Sequence, residues 1–133
     1  MVFLVEIRQY LLKIDLVIQN AIDYFESLDD SILQNIALDY LKKHGVNGTR
    51  EQSELFVKNS KKMIALVRQN TEINSEDMLK ILVPVLSEYV KKLSKDISQC
   101  DHLELAKIRK LRDEMNNAQA KIFSILRSFS IGR

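Results

Sequence analysis

Apolar residues in the last quarter of the chain fall at Ile108, Leu111, Met115, Ala118, Ile122, Ile125 and Phe129, alternating steps of three and four. That rhythm is the seam of a helix lying nearly parallel against partner helices. It predicts one long helix over residues 101–129, roughly 40 Å if uninterrupted at about 1.5 Å per residue. The same alternation occurs near the start, at Ile7, Leu11, Ile14, Ile18, Ala21, Phe25 and Leu28, and predicts a first helix over 3–27. Leu12, Leu16, Val17, Ile22 and Tyr24 widen its apolar stripe, so it should touch several neighbours or meet another subunit. Two seams of matching regularity suggest that the first and last helices pair as the long axis of a bundle.

The residues between them carry start and stop signals for three more helices. Asp29 or Asp30 caps a second, 31–43, which buries Ile32, Leu33, Ile36, Ala37, Tyr40 and Leu41 and ends in Lys42, Lys43 and His44 before Gly45. His44 therefore reads as a helix-end residue and not as a ligand. After the turn Val46-Asn47-Gly48, Thr49 and Gln52 have the spacing of a capping box for a third helix, 50–69. Its apolar residues, Leu55, Phe56, Met63, Ile64, Leu66 and Val67, are divided by the polar run 58–62, which fits either one helix with a solvated stretch or two short ones. Asn74 or Ser75 caps a fourth, 75–98, with Met78, Leu79, Leu82, Val85, Leu86, Tyr89, Val90, Leu93 and Ile97 on its buried side. The apolar phase continues through Pro84, so a kinked helix is expected there and not a break. Asp101 and Glu104 resemble another capping box at the start of the fifth.

With three Gly and one Pro in 133 residues, a sheet-and-turn architecture is improbable. The fold class expected is all-α: a compact bundle of about five mostly antiparallel helices, helix four kinked at Pro84, forming one domain over residues 1–133. Neither an internal repeat nor a long linker divides the chain. The apolar opening Met1–Val5 is interrupted by Glu6, Arg8 and Gln9, unlike a signal peptide or a membrane span, so no membrane insertion is expected. A lone cysteine, Cys100, fits a reducing, cytoplasmic setting.

Ingredients of catalysis are sparse. Two His and one Cys supply no metal-ligand pattern, and Cys100 and His102 have no further ligand near them in sequence. Gly-rich phosphate loops and nucleophile motifs are missing. No cofactor, metal or small-molecule ligand is expected, and the chain is read as not an enzyme. A third reading keeps an enzyme open, with a site built from dispersed carboxylates and Tyr10, Tyr24, Tyr40 or Tyr89.

Cations are the better lead. Net charge is only +2, but Lys107, Arg109, Lys110 and Arg112 form a dense group on the fifth helix. Lys58, Lys61, Lys62 and Arg68 make a second group, and Lys91, Lys92 and Lys95 a third. Local sequence adds one resemblance. The stretch from Ile32 to Glu51, a helix closed by Gly45 and followed by the Thr49 cap, resembles the opening of many helix-turn-helix domains. That resemblance implies a break near 58–60 and a recognition helix over 61–70, with Lys61, Lys62 and Arg68 toward DNA. The leading expectation is a non-enzymatic interaction or structural module, a subunit of a larger assembly with a protein partner or self-association through Leu4, Leu12, Leu16 or Phe129. Nucleic-acid binding through Lys107, Arg109, Lys110, Arg112, Lys61, Lys62 and Arg68 is the alternative.

Overall fold

A computed structural model describes residues 12–43, 45–70, 72–73 and 75–131, with side chains as far as Ser128. In chain order the elements are β1 (Leu12–Lys13), α1 (Leu16–Glu26), α2 (Asp30–Lys43), α3 (Arg50–Arg68), β2 (Glu72–Ile73), α4 (Glu76–Ser98) and α5 (Leu105–Ile131). The architecture is the expected all-α helical bundle, with one small antiparallel pair in which Leu12 faces Ile73 and Lys13 faces Glu72.

Helix ends follow local chemistry. The Thr49 box is complete: Thr49 Oγ1 accepts from the Gln52 amide at 3.2 Å, and the Thr49 amide donates to Gln52 Oε1 at 2.9 Å. Gly45 takes φ +77° after α2, a left-handed conformation that favours glycine. Its amide donates to the Lys42 carbonyl while the Val46 amide reaches back to that of Leu41, the paired bonds of a Schellman end. His44 and Asn74, both weighed as helix-end residues, lie outside the described residues. At the start of α5, Glu104 Oε1 accepts from the Asp101 amide, as a capping box requires, but Asp101 Oδ1 takes the Leu103 amide. The residues 101–104 therefore form a turn, and the helix begins at Leu105.

The first helix differs most from expectation. It begins at Leu16 and not near residue 3, because Asp15 is its N-cap, Oδ1 accepting from the Ile18 amide at 3.1 Å. Leu12 lies in β1 instead, and Ile7 and Leu11 lie outside the described residues. Leu12 and Ile14 still pack on the core. Over so short a span, a strand's period of two and a helix's three–four step select overlapping positions. From Ile18 onward the seam holds: Ile18, Ala21 and Phe25 are buried. Leu16 does not widen it, being 68% exposed.

α3 is one unbroken helix, so the polar run 58–62 is a solvated stretch. Its buried positions are Ser53, Val57, Ser60, Ile64 and Val67, again in three–four steps. Both serines satisfy themselves within the helix, Ser53 Oγ donating to the Arg50 carbonyl and Ser60 Oγ to that of Phe56, each at 2.7 Å. Leu55 and Leu66, expected inside, face outward.

α4 is the hub. It runs without interruption through Pro84 and buries Leu79, Leu82, Val85, Leu86, Tyr89 and Leu93 against α1, α3 and α5. Its most extensive partner is α5, which corrects the pairing inferred from the two matching seams: α1 and α5 approach each other along a much shorter stretch. Periodicity names the buried face of a helix and leaves its partner open. The connection of six residues, 99–104, had favoured the sequence neighbour all along. Within the α4–α5 interface, Ala118 and Ile125 are fully covered, with Leu111, Met115 and Ile122 packed beside them.

Three helices meet at one carboxylate. Glu114 Oε2 accepts from the Tyr89 hydroxyl at 2.6 Å and from Asn20 Nδ2 at 2.8 Å, linking α5 to α4 and α1. Burial, and then the bond to Glu114, push the Tyr89 phenol above its ordinary pKa, so it remains a neutral donor. Nearby, Lys121 of α5 pairs with Asp15 at 2.6 Å. Burial pulls the Asp15 carboxyl upward, but the Lys121 ammonium and the Ile18 amide outweigh it, and the group titrates below its ordinary 3.8.

Two outcomes are expected. Glu114→Ala strands the Tyr89 hydroxyl and should cost about 1–3 kcal/mol in urea unfolding, with Tyr89→Phe milder because no buried donor remains unpaired. A depressed native pKa stabilises the fold above the unfolded-state value and loses that contribution as pH falls through the native one. The stability gap between wild type and Asp15→Asn, which keeps a capping oxygen, should thus be greatest above pH 3.8 and close on acidification below it.

Candidate interaction surface

Antiparallel packing of α4 and α5 fixes where the basic groups go. Tyr89 lies nine residues before the end of α4 at Ser98, and Glu114 nine after the start of α5 at Leu105. The hairpin's two legs are therefore level at the turn, and Lys91 and Lys95 share that end with Lys107, Arg109, Lys110 and Arg112. Residues 91–112 hold seven Lys and Arg against three Asp and Glu, a balance of +4 in a chain whose total is +2. The remainder of the protein is accordingly net acidic.

Several cations elsewhere are tied to carboxylates. Lys61 Nζ meets Asp30 at 2.7 Å. Arg68 forks between Asp23, at 2.5 Å, and Glu26, whose Oε1 accepts from Nε at 2.6 Å. Those hydrogen bonds, Asp23 first, raise the Arg68 pKa further. On α4, Lys91 pairs with Glu88 at 3.1 Å and Lys92 with Asp96 at 2.5 Å, the latter ammonium also standing 5.6 Å from the Tyr24 ring centre.

On α5 the picture is different. Lys107 has only a long contact to Glu104, 3.6 Å, and Arg109, Lys110 and Arg112 make no ion pair among the described residues. Lys62 on α3 is likewise exposed without one. The structure thus gathers the α5 group with Lys91 and Lys95 at the hairpin end, and holds Lys61 and Arg68 in bridges from α3 to α2 and α1.

These cations do not form a single shoulder. At about 100° per residue, Lys107, Arg109, Lys110 and Arg112 stand near 0, 200, 300 and 140° around the helix. The gap in that ring is the sector of Ile108 and Leu111, the side toward α4. Every residue from Asp101 to Lys107 is exposed, and burial begins only at Ile108. Leu103 and Leu105, at 78% and 67%, are among the most exposed large apolar side chains of the described residues. Sequence reading had passed over these two leucines, although their place outside the seam was visible.

Other candidates resolve into packing. Cys100 Sγ lies 3.3 Å from the Asp96 carbonyl, while His102 stands in solvent 3.0 Å from Asp101. No group of three or more His, Cys, Asp or Glu among the described residues could hold a metal. Tyr24 and Tyr89 approach at 6.2 Å, but the Tyr89 proton is committed to Glu114. Tyr40 and Phe56 meet at a tilt, ring centres 5.2 Å apart, beside an apolar cleft of about 240 Å³ that Met63, Ile81 and Pro84 also line. Of the proposed self-association anchors, Leu12 packs on the core and Leu16 is exposed. Tyr10, Leu4 and the Phe129 side chain lie outside the described residues. No described helix is long and apolar enough to cross a membrane.

The helix-turn-helix resemblance loses its geometric condition, since α3 does not break at 58–60 and residues 61–68 are its continuation. Neither a protein-family model, nor a curated protein, nor a solved structure matches the chain.

The pairing pattern has a measurable consequence. Arg68→Ala should lower stability by up to about 1 kcal/mol, the range of partly exposed ion pairs. Arg109→Gln, Lys110→Gln and Arg112→Gln should each shift it by less than about 0.5 kcal/mol. Thermal or urea unfolding monitored by circular dichroism measures both.

Proposed function

We propose that this protein is a non-enzymatic helical interaction module, a subunit of a larger assembly, whose contact surface is the projecting end of the α4–α5 hairpin. The observation carrying this reading is the concentration of charge: +4 over residues 91–112, with Arg109, Lys110 and Arg112 lacking a carboxylate among the described residues, where Lys61, Arg68 and Lys92 each have one. Arginine and lysine left unpaired around an exposed helix attract an acidic surface and speed encounter with it. The contribution of Lys61 and Arg68 is different, since their bridges to α2 and α1 would have to open before either met a partner.

Nucleic acid is the second reading, through the same hairpin end and not through α3. Phosphate contacts ask only for clustered cations, which Arg109, Lys110 and Arg112 supply.

Retention on heparin, a generic polyanion, tests the surface. Wild type should elute at a salt concentration that falls sharply when Lys107, Arg109, Lys110 and Arg112 are all changed to Gln, with the melting temperature unchanged. Equal elution of both proteins would overturn the assignment to this end of the molecule. A salt-dependent gel shift with duplex and single-stranded DNA separates the second reading from the first.

A further inference from the structure

An acidic partner in general accounts for the cations at the hairpin end and leaves its leucines unexplained. Leu103 sits in the turn and Leu105 opens α5, both largely in solvent, and neither belongs to the packed core. Behind them stands the ring of Lys107, Arg109, Lys110 and Arg112, open only toward α4. A flat folded-protein face reaches about half of a helix's circumference, so it would leave part of this ring unused. A soft interface that the tip enters end-on reaches all of it.

Resting on the reading that this end is the contact surface, we infer that the α4–α5 tip docks on an anionic lipid surface. Leu103 and Leu105 enter the boundary between headgroups and acyl chains, and the cationic ring lies among the headgroups. The axial spacing fits. At about 1.5 Å per residue, Lys107 lies about 3 Å and Arg112 about 10 Å along the helix from Leu105. Interfacial elements bury their apolar side chains about 5–10 Å deep, and long basic side chains extend their charge back toward the headgroups.

Asp113 stands exposed just behind Arg112, and the two acidic residues nearest the leucines are occupied. Asp101 Oδ1 accepts the Leu103 amide at 3.1 Å, while Glu104 accepts the Asp101 amide through Oε1 and lies 3.6 Å from Lys107 through Oε2. Nucleic acid fits less well: leucine offers phosphate nothing, and residues 99–114 contain no Phe, Tyr or Trp on which a base could stack. Stable docking at a lipid surface needs two signals together, apolar insertion and charge, and both are present here. Docking of this kind requires no membrane-crossing helix.

Co-sedimentation with vesicles tests it, using phosphatidylcholine alone and phosphatidylcholine mixed with phosphatidylserine. Wild type should partition onto the mixed vesicles about tenfold or more above the neutral ones, and added salt should release it. The variant Leu103→Ser with Leu105→Ser should lose about tenfold of that partitioning while its heparin elution stays as wild type. The chain has no tryptophan, so Leu103→Trp provides a single reporter whose emission should shift to the blue on mixed vesicles only. Both leucines are exposed, and circular dichroism confirms that the variants fold. Wild-type partitioning by the serine variant, or unshifted emission from sedimented Leu103→Trp protein, overturns the inference. Heparin or DNA binding without sedimentation also overturns it while leaving the basic-end reading intact. Loss of both kinds of binding in wild type removes the two together.

Discussion

A carboxylate half-buried among three helices sets the register of this bundle. Glu114 on α5 takes hydrogen bonds from Tyr89 on α4 and Asn20 on α1, and the packing around it is largely apolar. Apolar contact is non-directional, and a repeating seam tolerates a slip from one turn to the next with modest loss. A slip of one turn moves Glu114 by about 5.4 Å and leaves a buried phenol without an acceptor. The bond therefore selects one alignment of α4 with α5 from several that hydrophobic burial alone would accept.

That alignment determines what stays outside the core. α1 runs antiparallel to α5, Asp15 meeting Lys121 and Asn20 meeting Glu114. Carried forward at the same rise, α1 ends at Glu26 about level with residue 108 of α5. Ile108 is where burial on α5 begins, and residues 101–107 beyond it are exposed. The projecting tip is thus a consequence of a short first helix packed against a long hairpin.

Much of the fold was legible because its long helices keep apolar residues on one face. α4 buries most of the positions its spacing named, and in α5 Ala118 and Ile125 are buried with Met115 and Ile122 packed beside them. α3 hid its seam, since Ser53 and Ser60 occupy two of five buried positions and count as polar in any hydropathy pattern. The start of α1 was misplaced because Leu12 and Ile14 satisfy two periods at once, and the cap that decides between them is a single aspartate. The candidate surface was legible in its members and not in their state. Lys61, Arg68 and Arg109 look alike in sequence, yet carboxylates from other helices hold the first two and none among the described residues holds the third. Pairing across helices depends on tertiary placement, which spacing along one helix does not encode.

Exposure separates what the fold needs from what it merely carries. Tyr89, Ala118 and Ile125 lie in contacts between helices, so stability constrains them directly. Leu103, Leu105, Arg109, Lys110 and Arg112 add little to those contacts, and the clustered like charges repel one another in an isolated chain. Exposed apolar side chains occur elsewhere too, Leu16 and Phe123 among them. Among the described residues, only at this end do they coincide with a cluster of cations, while several cations elsewhere are paired and the remainder of the chain is net acidic. Stability of the bundle supplies no reason for that segregation. A surface that is anionic and also accepts apolar side chains supplies one, because it rewards the charge and the leucines in a single contact.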